Sequence, residues 1–163
     1  MSDNYTPAPC TIPIAYLGGF QIGDCYVTGQ PADPQGLQAV AAAGVKSVIC
    51  LRDPSEPGFD FNEDSALLAL HISYTNIPIP HGIDQGDFDQ RADLVRACLA
   101  VAQKPLLMHC SSGDRASALW AVHLFADCGL SKQEAIQYAH ESGLANPAFV
   151  QLVLNYSPAS EKK

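Results

Sequence analysis

One segment constrains the fold of this chain more than any other. The apolar run Pro105–Met108 predicts a buried strand, residues 109–117 form a polar loop that contains glycine, and the apolar stretch Ala118–Phe125 predicts a helix. A loop that leads from the end of a strand into a helix directs several backbone N–H groups, and the positive end of the helix dipole, toward one point. The segment therefore predicts an anion-binding loop.

His109 and Cys110 open this loop. The field that would bind an anion also favours a thiolate over a thiol, so Cys110 is predicted to be ionised and nucleophilic. His109 beside it can add a hydrogen bond or a positive charge. The alternative is that Cys110 is a buried and inert cysteine, as most free cysteines are.

The composition is typical of one domain that binds neither nucleic acid nor membranes. The 163 residues carry a net charge of −8 with only nine Lys and Arg, which disfavours polyanionic partners. No apolar run approaches the roughly 20 residues of a membrane span. Because Met1–Pro13 lack a basic stretch followed by an apolar one, we expect a cytoplasmic protein; a secretory signal removed from the chain would instead indicate a secreted or periplasmic one.

Predicted strands and helices alternate along the chain. Such alternation predicts an α/β fold, here a single three-layer domain with a mostly parallel sheet of four to five strands and helices on both faces. We place this domain at residues 16–156, between an N-terminal extension (1–15) and a polar tail (157–163). The predicted elements outside the loop segment are strands at Tyr16–Phe20, Tyr26–Thr28, Val45–Leu51 and Ile72–Ile79, and helices at Asp33–Gly44, Glu63–Leu70, Asp89–Gln103, Ser131–Gly143 and Pro147–Tyr156.

The six cysteines and five histidines show no metal-binding spacing. With no C-x-x-C pair, a zinc site is not expected, and we predict no metal and no cofactor. Cys50 lies in the apolar strand Val45–Leu51, and Cys98 falls at helical spacing with Leu94 and Val101, so both cysteines are predicted to be core residues. Cys10 and Cys25 would form a disulfide bond in an oxidising compartment and stay reduced in the cytoplasm.

His109 and Cys110, followed by Gly113 and Arg115, resemble the active-site loop of cysteine-dependent phosphatases of the tyrosine and dual-specificity type. The resemblance extends to a bacterial family of phosphatases that also occurs as the front domain of beta-lactamase hydrolase-like proteins, and it covers about Phe20–Leu154. It implies a compact phosphatase fold and metal-independent hydrolysis of phosphate monoesters. The segments that carry it upstream of the loop are Thr28–Pro31, Gly44–Val45, Val48–Arg52 and Ile77–Ile79.

The loop departs from the usual phosphatase pattern in its length. That pattern has five residues between cysteine and arginine and a Ser or Thr after the arginine, whereas only four residues separate Cys110 from Arg115. Counted from Gly113, Ala116 occupies the place of the arginine and Ser117 that of the hydroxyl. The bacterial family shares the short spacing. Because one helical residue is about 100° of rotation, Arg115 either reaches the anion from a different side or belongs to a tighter loop.

The resemblance implies a role for each residue of the loop. Cys110 is the nucleophile, and Arg115 binds the phosphate oxygens together with the loop N–H groups. Asp114 is unexpected, because a carboxylate opposes anion binding unless it points away toward solvent or Arg115. The substrate-binding candidates are His109, Ser111, Ser112, Gly113, Asp114 and Ser117, of which Ser117 can also assist the departure of the thiolate.

The general acid is implied to lie in the loop after the strand that ends at Ile79. Asp84 is the first candidate, Asp87 the second and His81 the third. The alternative is that these aspartates are solvated or cap the helix that follows.

Two other functions stay open. The short loop also resembles that of rhodanese-type sulfurtransferases, whose cysteine carries a persulfide, although rhodaneses usually lack the preceding histidine. A third possibility is a non-catalytic domain that binds anionic ligands. For the phosphatase, the expected substrate is a phosphorylated small molecule or a phosphoprotein, and the sequence does not indicate an oligomeric state.

Overall fold

Six strands form one sheet in the computed structural model, which describes residues 3–14, 17–31 and 33–161. In chain order they are β1 (Ala8–Pro9), β2 (Phe20–Ile22), β3 (Cys25–Thr28), β4 (Ser47–Cys50), β5 (Ser73–Asn76) and β6 (Leu106–His109). Their order across the sheet is β1-β2-β3-β6-β4-β5. Strands β3, β6, β4 and β5 run parallel, whereas β1 and β2 are added antiparallel at the β3 edge. The predicted mostly parallel α/β sheet is confirmed, with one strand more than expected.

The additional strand comes from the predicted N-terminal extension. Ala8 pairs with Gln21 and Pro9 with Phe20 at the edge of the sheet. Proline is tolerated there because an edge strand can leave a donor position unused. A strand of two residues has no alternating pattern that sequence reasoning could detect. The strand predicted from Tyr16 begins only at Phe20, and Tyr16 itself lies outside the described residues.

Helices cover both faces of the sheet in the described part of the chain. Buried residues form one cluster with α1 and α2 and a second with the four later helices. Strand β6 divides its side chains between them, with Leu107 in the first cluster and Leu106 and Met108 in the second. The three-layer prediction is confirmed, and no helix in the described ranges is long and apolar enough to cross a membrane. The helices are α1 (Asp33–Ala42), α2 (Glu63–Ala69), α3 (Gln85–Val101), α4 (Asp114–Asp127), α5 (Lys132–Glu141) and α6 (Pro147–Leu154).

Helix α3 differs from its prediction in both its start and its buried face. It begins at Gln85, four residues before the predicted start at Asp89. Cys98, predicted to be core, is partly buried against the core, whereas Leu94 and Val101, which gave its helical spacing, are 56% and 83% exposed. The face that packs on the sheet instead carries Phe88, Ala92, Val95 and Leu99.

The cysteines are all free thiols. Cys10 packs against the cluster on the α1 and α2 face, whereas Cys25 belongs to the cluster on the other face. Because the sheet lies between these clusters, the structure does not form the Cys10–Cys25 disulfide that the sequence left open.

The C-terminal helices follow their predicted signals. Ser131 and Glu134 form the predicted capping box at the start of α5. Helix α6 begins at Pro147 as expected and ends at Leu154, two residues before the predicted end. Beyond it, Ala159–Glu161 form a short 3-10 turn, and the Ala159 N–H donates to the Asp93 carboxylate.

Candidate active site

The loop between β6 and α4 places Cys110 at the carboxyl end of the central strand. Gly113 has φ +100°, a left-handed conformation that glycine adopts without a steric cost, and it turns the chain into α4. The Gly113 N–H donates to the Cys110 Sγ at 3.1 Å. The first N–H groups of α4, from Asp114 onward, lie at the helix end that attracts anions. The predicted order of strand, loop and helix is confirmed, but the loop is shorter than expected, since β6 includes His109 and α4 begins at Asp114 instead of Ala118.

The neighbouring strand β3 ends against this loop. The Cys110 N–H donates to the Thr28 carbonyl at 3.3 Å, and the Gln30 N–H donates to the Ser111 carbonyl at 3.2 Å. Between these bonds, a Cβ on Gly29 would lie 3.0 Å from the Ser111 carbonyl oxygen and 2.8 Å from that of Leu17. Only glycine permits so close an approach. Packing therefore explains the glycine in the segment Thr28–Pro31, which carries part of the resemblance.

Arg115 is buried and its guanidinium lies against the loop. Its two terminal nitrogens donate to the two carboxylate oxygens of Glu56, at 2.5 and 2.9 Å. They also donate to the Ile79 carbonyl at 2.9 Å and to the Ser111 hydroxyl at 3.1 Å. Burial by itself would lower the pKa of Arg115, but the bonds to Glu56 and the adjacent Cys110 raise that pKa above its usual value. Arg115 is therefore a fixed cation beside the thiol.

Glu56 is the partner that sequence reasoning missed. Its carboxylate accepts from Arg115, from the Asp53 N–H at 2.7 Å and from Arg52 Nε at 3.3 Å. Partial burial would raise the pKa of Glu56, but these donors outweigh that effect and lower its pKa to about 2. The sequence places Glu56 in a loop rich in Pro, Gly and acids, where no pattern separates a buried carboxylate from a solvated one.

Arg52 continues this set of contacts away from the loop. From the sequence, Arg52 could line the pocket or form a surface ion pair with Asp53. It is buried, and besides Glu56 it donates to the Gln30 side-chain oxygen at 3.2 Å and to the Pro57 carbonyl at 2.7 Å. The surface alternative is wrong, because the ion pair of Arg52 is with Glu56.

His109 lies on the opposite side of the strand from Cys110. Its Nδ1 bonds to the Cys110 carbonyl at 3.2 Å and its Nε2 to the Glu63 carboxylate at 2.6 Å, and the ring is completely buried. Burial would lower the pKa of His109, but hydrogen bonds to Cys50 and Glu63 raise it. Both ring nitrogens bond to protein groups, and the ring supports the loop from behind, so these bonds differ from the predicted contact of His109 with substrate, which stays a prediction.

These contacts form one continuous path from Arg115 to His109. Glu63, which receives the His109 bond, also accepts from the Gln30 side-chain nitrogen at 2.7 Å. Because Gln30 accepts from Arg52, the path connects Arg115 with the backbone of Cys110 through five side chains. The intermediate side chains, in order from Arg115, are Glu56, Arg52, Gln30, Glu63 and His109.

Two predicted substrate-binding residues of the loop point elsewhere. The Asp114 carboxylate accepts from the N–H groups of Ala145 at 2.9 Å and Asn146 at 3.3 Å, so it binds the connection before α6. This explains how an acidic residue fits beside an anion site. Ser117 is buried, and its hydroxyl donates to the Ser142 carbonyl at 2.5 Å, so it points away from the loop toward the end of α5. Neither prediction of substrate contact agrees with these bonds.

Of the three remaining loop residues, the two serines lie at the surface. Ser111 and Ser112 are exposed, and Gly113 is buried beneath them. The exposed Ser111 hydroxyl accepts from Arg115, which places the serine and the arginine together. The structure thus brings Cys110, Ser111, Gly113 and Arg115 into one site.

The general-acid candidates all lie at or near the start of α3. Asp84 is exposed and is the N-cap of this helix, where its carboxylate accepts from the Asp87 N–H at 2.8 Å. Asp87 and His81 are exposed as well, and the His81 ring packs edge-on near Phe149 at 6.0 Å. Asp84 therefore makes the helix-capping bond that the sequence offered as the alternative to a catalytic role.

Sequence comparison agrees with this geometry. Residues 22–126 match the family described as beta-lactamase hydrolase-like protein, phosphatase-like domain. The chain belongs to this family. Beta-lactamase hydrolase-like proteins from two strains of Xylella fastidiosa, Temecula1 and 9a5c, are each 30% identical to it over 124 residues. That alignment covers 72% of this chain but only 27% of either Xylella protein.

Solved structures of phosphatases share the fold of this phosphatase-like domain. The active form of Tk-PTP superposes with a TM-score of 0.64 at 20% identity, covering 81% of this chain and 88% of that one. TpbA from Pseudomonas aeruginosa, in complex with phosphotyrosine, superposes with a TM-score of 0.66 at 16% identity, covering 96% and 90% of the two chains. The fold is therefore that of the cysteine-dependent phosphatases.

Proposed function

We propose that this domain hydrolyses phosphate monoesters through a cysteinyl-phosphate intermediate on Cys110. The observation that carries the proposal is that the Cys110 Sγ accepts from the Gly113 N–H at 3.1 Å and also interacts with the guanidinium of Arg115, which Glu56 holds in place. A backbone donor and a permanent cation both stabilise negative charge on sulfur and on a phosphate held above it. The family and the shared phosphatase fold support the same reaction class.

The reaction has two steps. In the first, the Cys110 thiolate attacks phosphorus in line, an S–P bond forms, and the P–O bond to the leaving alcohol breaks. A general acid gives the departing oxygen its proton. In the second step, water attacks phosphorus, the S–P bond breaks, and inorganic phosphate and the thiolate are released.

The phosphate oxygens would be held by three kinds of donor. The first N–H groups of α4 supply backbone donors, and the exposed hydroxyls of Ser111 and Ser112 stand at the mouth of the loop. Arg115 supplies the charge, while the bidentate ion pair with Glu56 limits its orientation.

We propose Asp84 as the general acid. The Asp87 N–H bonds to Oδ1 of Asp84, and Oδ2 can carry the proton that is transferred. The variant Asp84→Asn keeps the cap, because asparagine caps helices as well as aspartate does. A fall of about 10² or more in kcat in Asp84→Asn, with unchanged thermal stability, would identify the acid, whereas the same fall in Asp87→Asn alone would assign it to Asp87.

The proposal is tested with aryl phosphates. The purified protein should hydrolyse p-nitrophenyl phosphate and, as a first biological candidate suggested by the TpbA complex, phosphotyrosine. Cys110→Ser should abolish turnover, while Cys128→Ser, which alters a partly buried thiol on the α4 C-terminus, should leave it unchanged. Full turnover by Cys110→Ser would contradict the covalent scheme.

The four-residue spacing between Cys110 and Arg115 is also similar to that of sulfurtransferases, and the same experiment tests this second function. A sulfurtransferase would form thiocyanate from thiosulfate and cyanide and leave the aryl phosphate intact. Binding of phosphate without turnover of either substrate would identify a non-catalytic anion-binding domain.

A further inference from the structure

Three potential metal ligands meet on the face of the sheet opposite Cys110. Cys50 ends β4, His109 ends β6, and Glu63 begins α2. All three side chains are buried, and their ligand atoms lie within 4.8 Å of one another. Cys50 and His109 are partners in the β4–β6 register, so their side chains share one face of the sheet. No sequence motif indicates this cluster, because its members are far apart in the chain.

The orientation of His109 is the one that a metal-binding histidine requires. Its Nδ1 is bonded to the Cys110 carbonyl, which can only accept, so Nδ1 carries a proton and Nε2 faces Glu63 and Cys50. Metal-bound histidines in proteins usually donate their second ring N–H to a carbonyl or carboxylate in this way. The Glu63 carboxylate is likewise fixed from outside the cluster, by the Gln30 side-chain nitrogen at 2.7 Å.

We propose that Cys50, Glu63 and His109 form a binding site for a zinc ion. A thiolate, an imidazole and a carboxylate form a donor set suited to Zn²⁺, and three protein ligands leave a fourth position for water. The thiolate and carboxylate charges together balance the charge of the ion, so the bound site has no net charge in the protein interior. This proposal rests on contacts behind the loop and does not depend on the proposed phosphatase activity.

Binding requires small movements and the release of protons. Ligand atoms of tetrahedral zinc, with bonds of about 2.0 to 2.3 Å, lie roughly 3.2 to 3.8 Å apart, so His109 and Glu63 must separate by under about 1 Å and Cys50 must move inward by a similar distance. The proton of the Cys50 thiol and the proton shared by His109 Nε2 and Glu63 would both be released to solvent when the metal bonds form.

Solvent lies close to the cluster on the β5 side. Tyr74 contacts the Cys50 thiol through its hydroxyl and is only half-buried. The same tyrosine lines a surface cavity of about 280 Å³ together with Asp64 and Ser65 at the start of α2. Movement of the Tyr74 side chain therefore gives an ion a short path to Cys50.

The test uses Co²⁺ as a spectroscopic substitute for zinc in the full chain carrying Cys110→Ser, which removes the other candidate thiol. We expect one equivalent of Co²⁺ to bind with an intense near-ultraviolet band from thiolate-to-metal charge transfer, and Zn²⁺ to displace it. Adding Cys50→Ser should abolish the band, whereas adding Cys98→Ser, at a partly buried position on α3, should preserve it. Absence of the band, or its persistence in Cys50→Ser, would overturn the proposal.

A second variant keeps the test valid if Cys50→Ser fails to fold. Gln30→Met removes the donor to Glu63 with a side chain of similar size and leaves all three ligands in place. Loss of such a supporting bond should weaken Co²⁺ binding about 10- to 100-fold. An unchanged affinity in a folded Gln30→Met protein would show that Co²⁺ binds elsewhere.

Discussion

The variant Glu56→Gln tests the role of the carboxylate that holds Arg115. Glutamine has nearly the same shape but lacks the charge, so it represents the protonated form of Glu56. In the native protein the carboxylate accepts two bonds from Arg115 and one each from Arg52 and the Asp53 N–H, with its side chain only 15% exposed. The substitution therefore removes a charge from a site built around it.

The size of the effect follows from the pKa of Glu56, which is lowered from 4.5 to about 2. Each tenfold change in proton affinity corresponds to about 1.4 kcal/mol, so the charged form stabilises the fold by about 3 kcal/mol at pH 7. Because the pKa is lower in the folded state, this stabilisation is complete above about pH 5 and is lost as the pH falls toward 2. At pH 3 less than half of it should remain.

Urea denaturation followed by the fluorescence of the single tryptophan, Trp120, measures this difference. Glu56→Gln should lower the free energy of unfolding by about 3 kcal/mol at pH 7 and by about half of that or less at pH 3. The exposed Glu141→Gln serves as the control and should change stability by under about 0.5 kcal/mol at either pH. A Glu56→Gln effect that is absent at pH 7, or equal at both pH values, would refute the reasoning.

Three further predictions concern packing around the site. Gly29→Ala should lower both kcat/KM and thermal stability, because its Cβ would lie 3.0 Å from the Ser111 carbonyl oxygen; unchanged kinetics would contradict that contact. Asp114→Ala should lower the free energy of unfolding by about 0.5 to 1.5 kcal/mol in urea, since the N–H groups of Ala145 and Asn146 lose their acceptor; an unchanged stability would contradict these bonds. Phe88→Ala should cost about 3 to 5 kcal/mol and Leu94→Ala under about 1, and equal costs would contradict the assigned face of α3.

The elements with local signals were predictable from the sequence. The capping pair Ser131 and Glu134 defines the start of α5 through bonds within one turn, and the apolar run before His109 defines β6. Helix α3 shows the limit of such reasoning. Its apolar residues permit more than one face, and contact with the sheet selects the one that includes Phe88 and excludes Leu94.

The same distinction divides the candidate site. Cys110 and Arg115 are recognisable because a strand, a loop and a helix must follow one another for the loop to bind an anion. Glu56 and Glu63 have no such local context. Glu56 lies in an irregular loop and Glu63 at the start of a helix, so the sequence alone predicts that both carboxylates are solvated. Only folding brings them to Arg115 and His109.

The layered α/β arrangement and the loop that carries Cys110 could be predicted from the sequence, because hydrophobic periodicity and helix signals act over a few neighbouring residues. The tertiary structure decided which charged side chains are buried, which way Asp114 and Ser117 point, and that Cys50 stands beside His109. Those outcomes depend on segments brought together from up to 59 positions apart, as Glu56 and Arg115 are, and the free energy of burying a charge is settled only when its partner is in place.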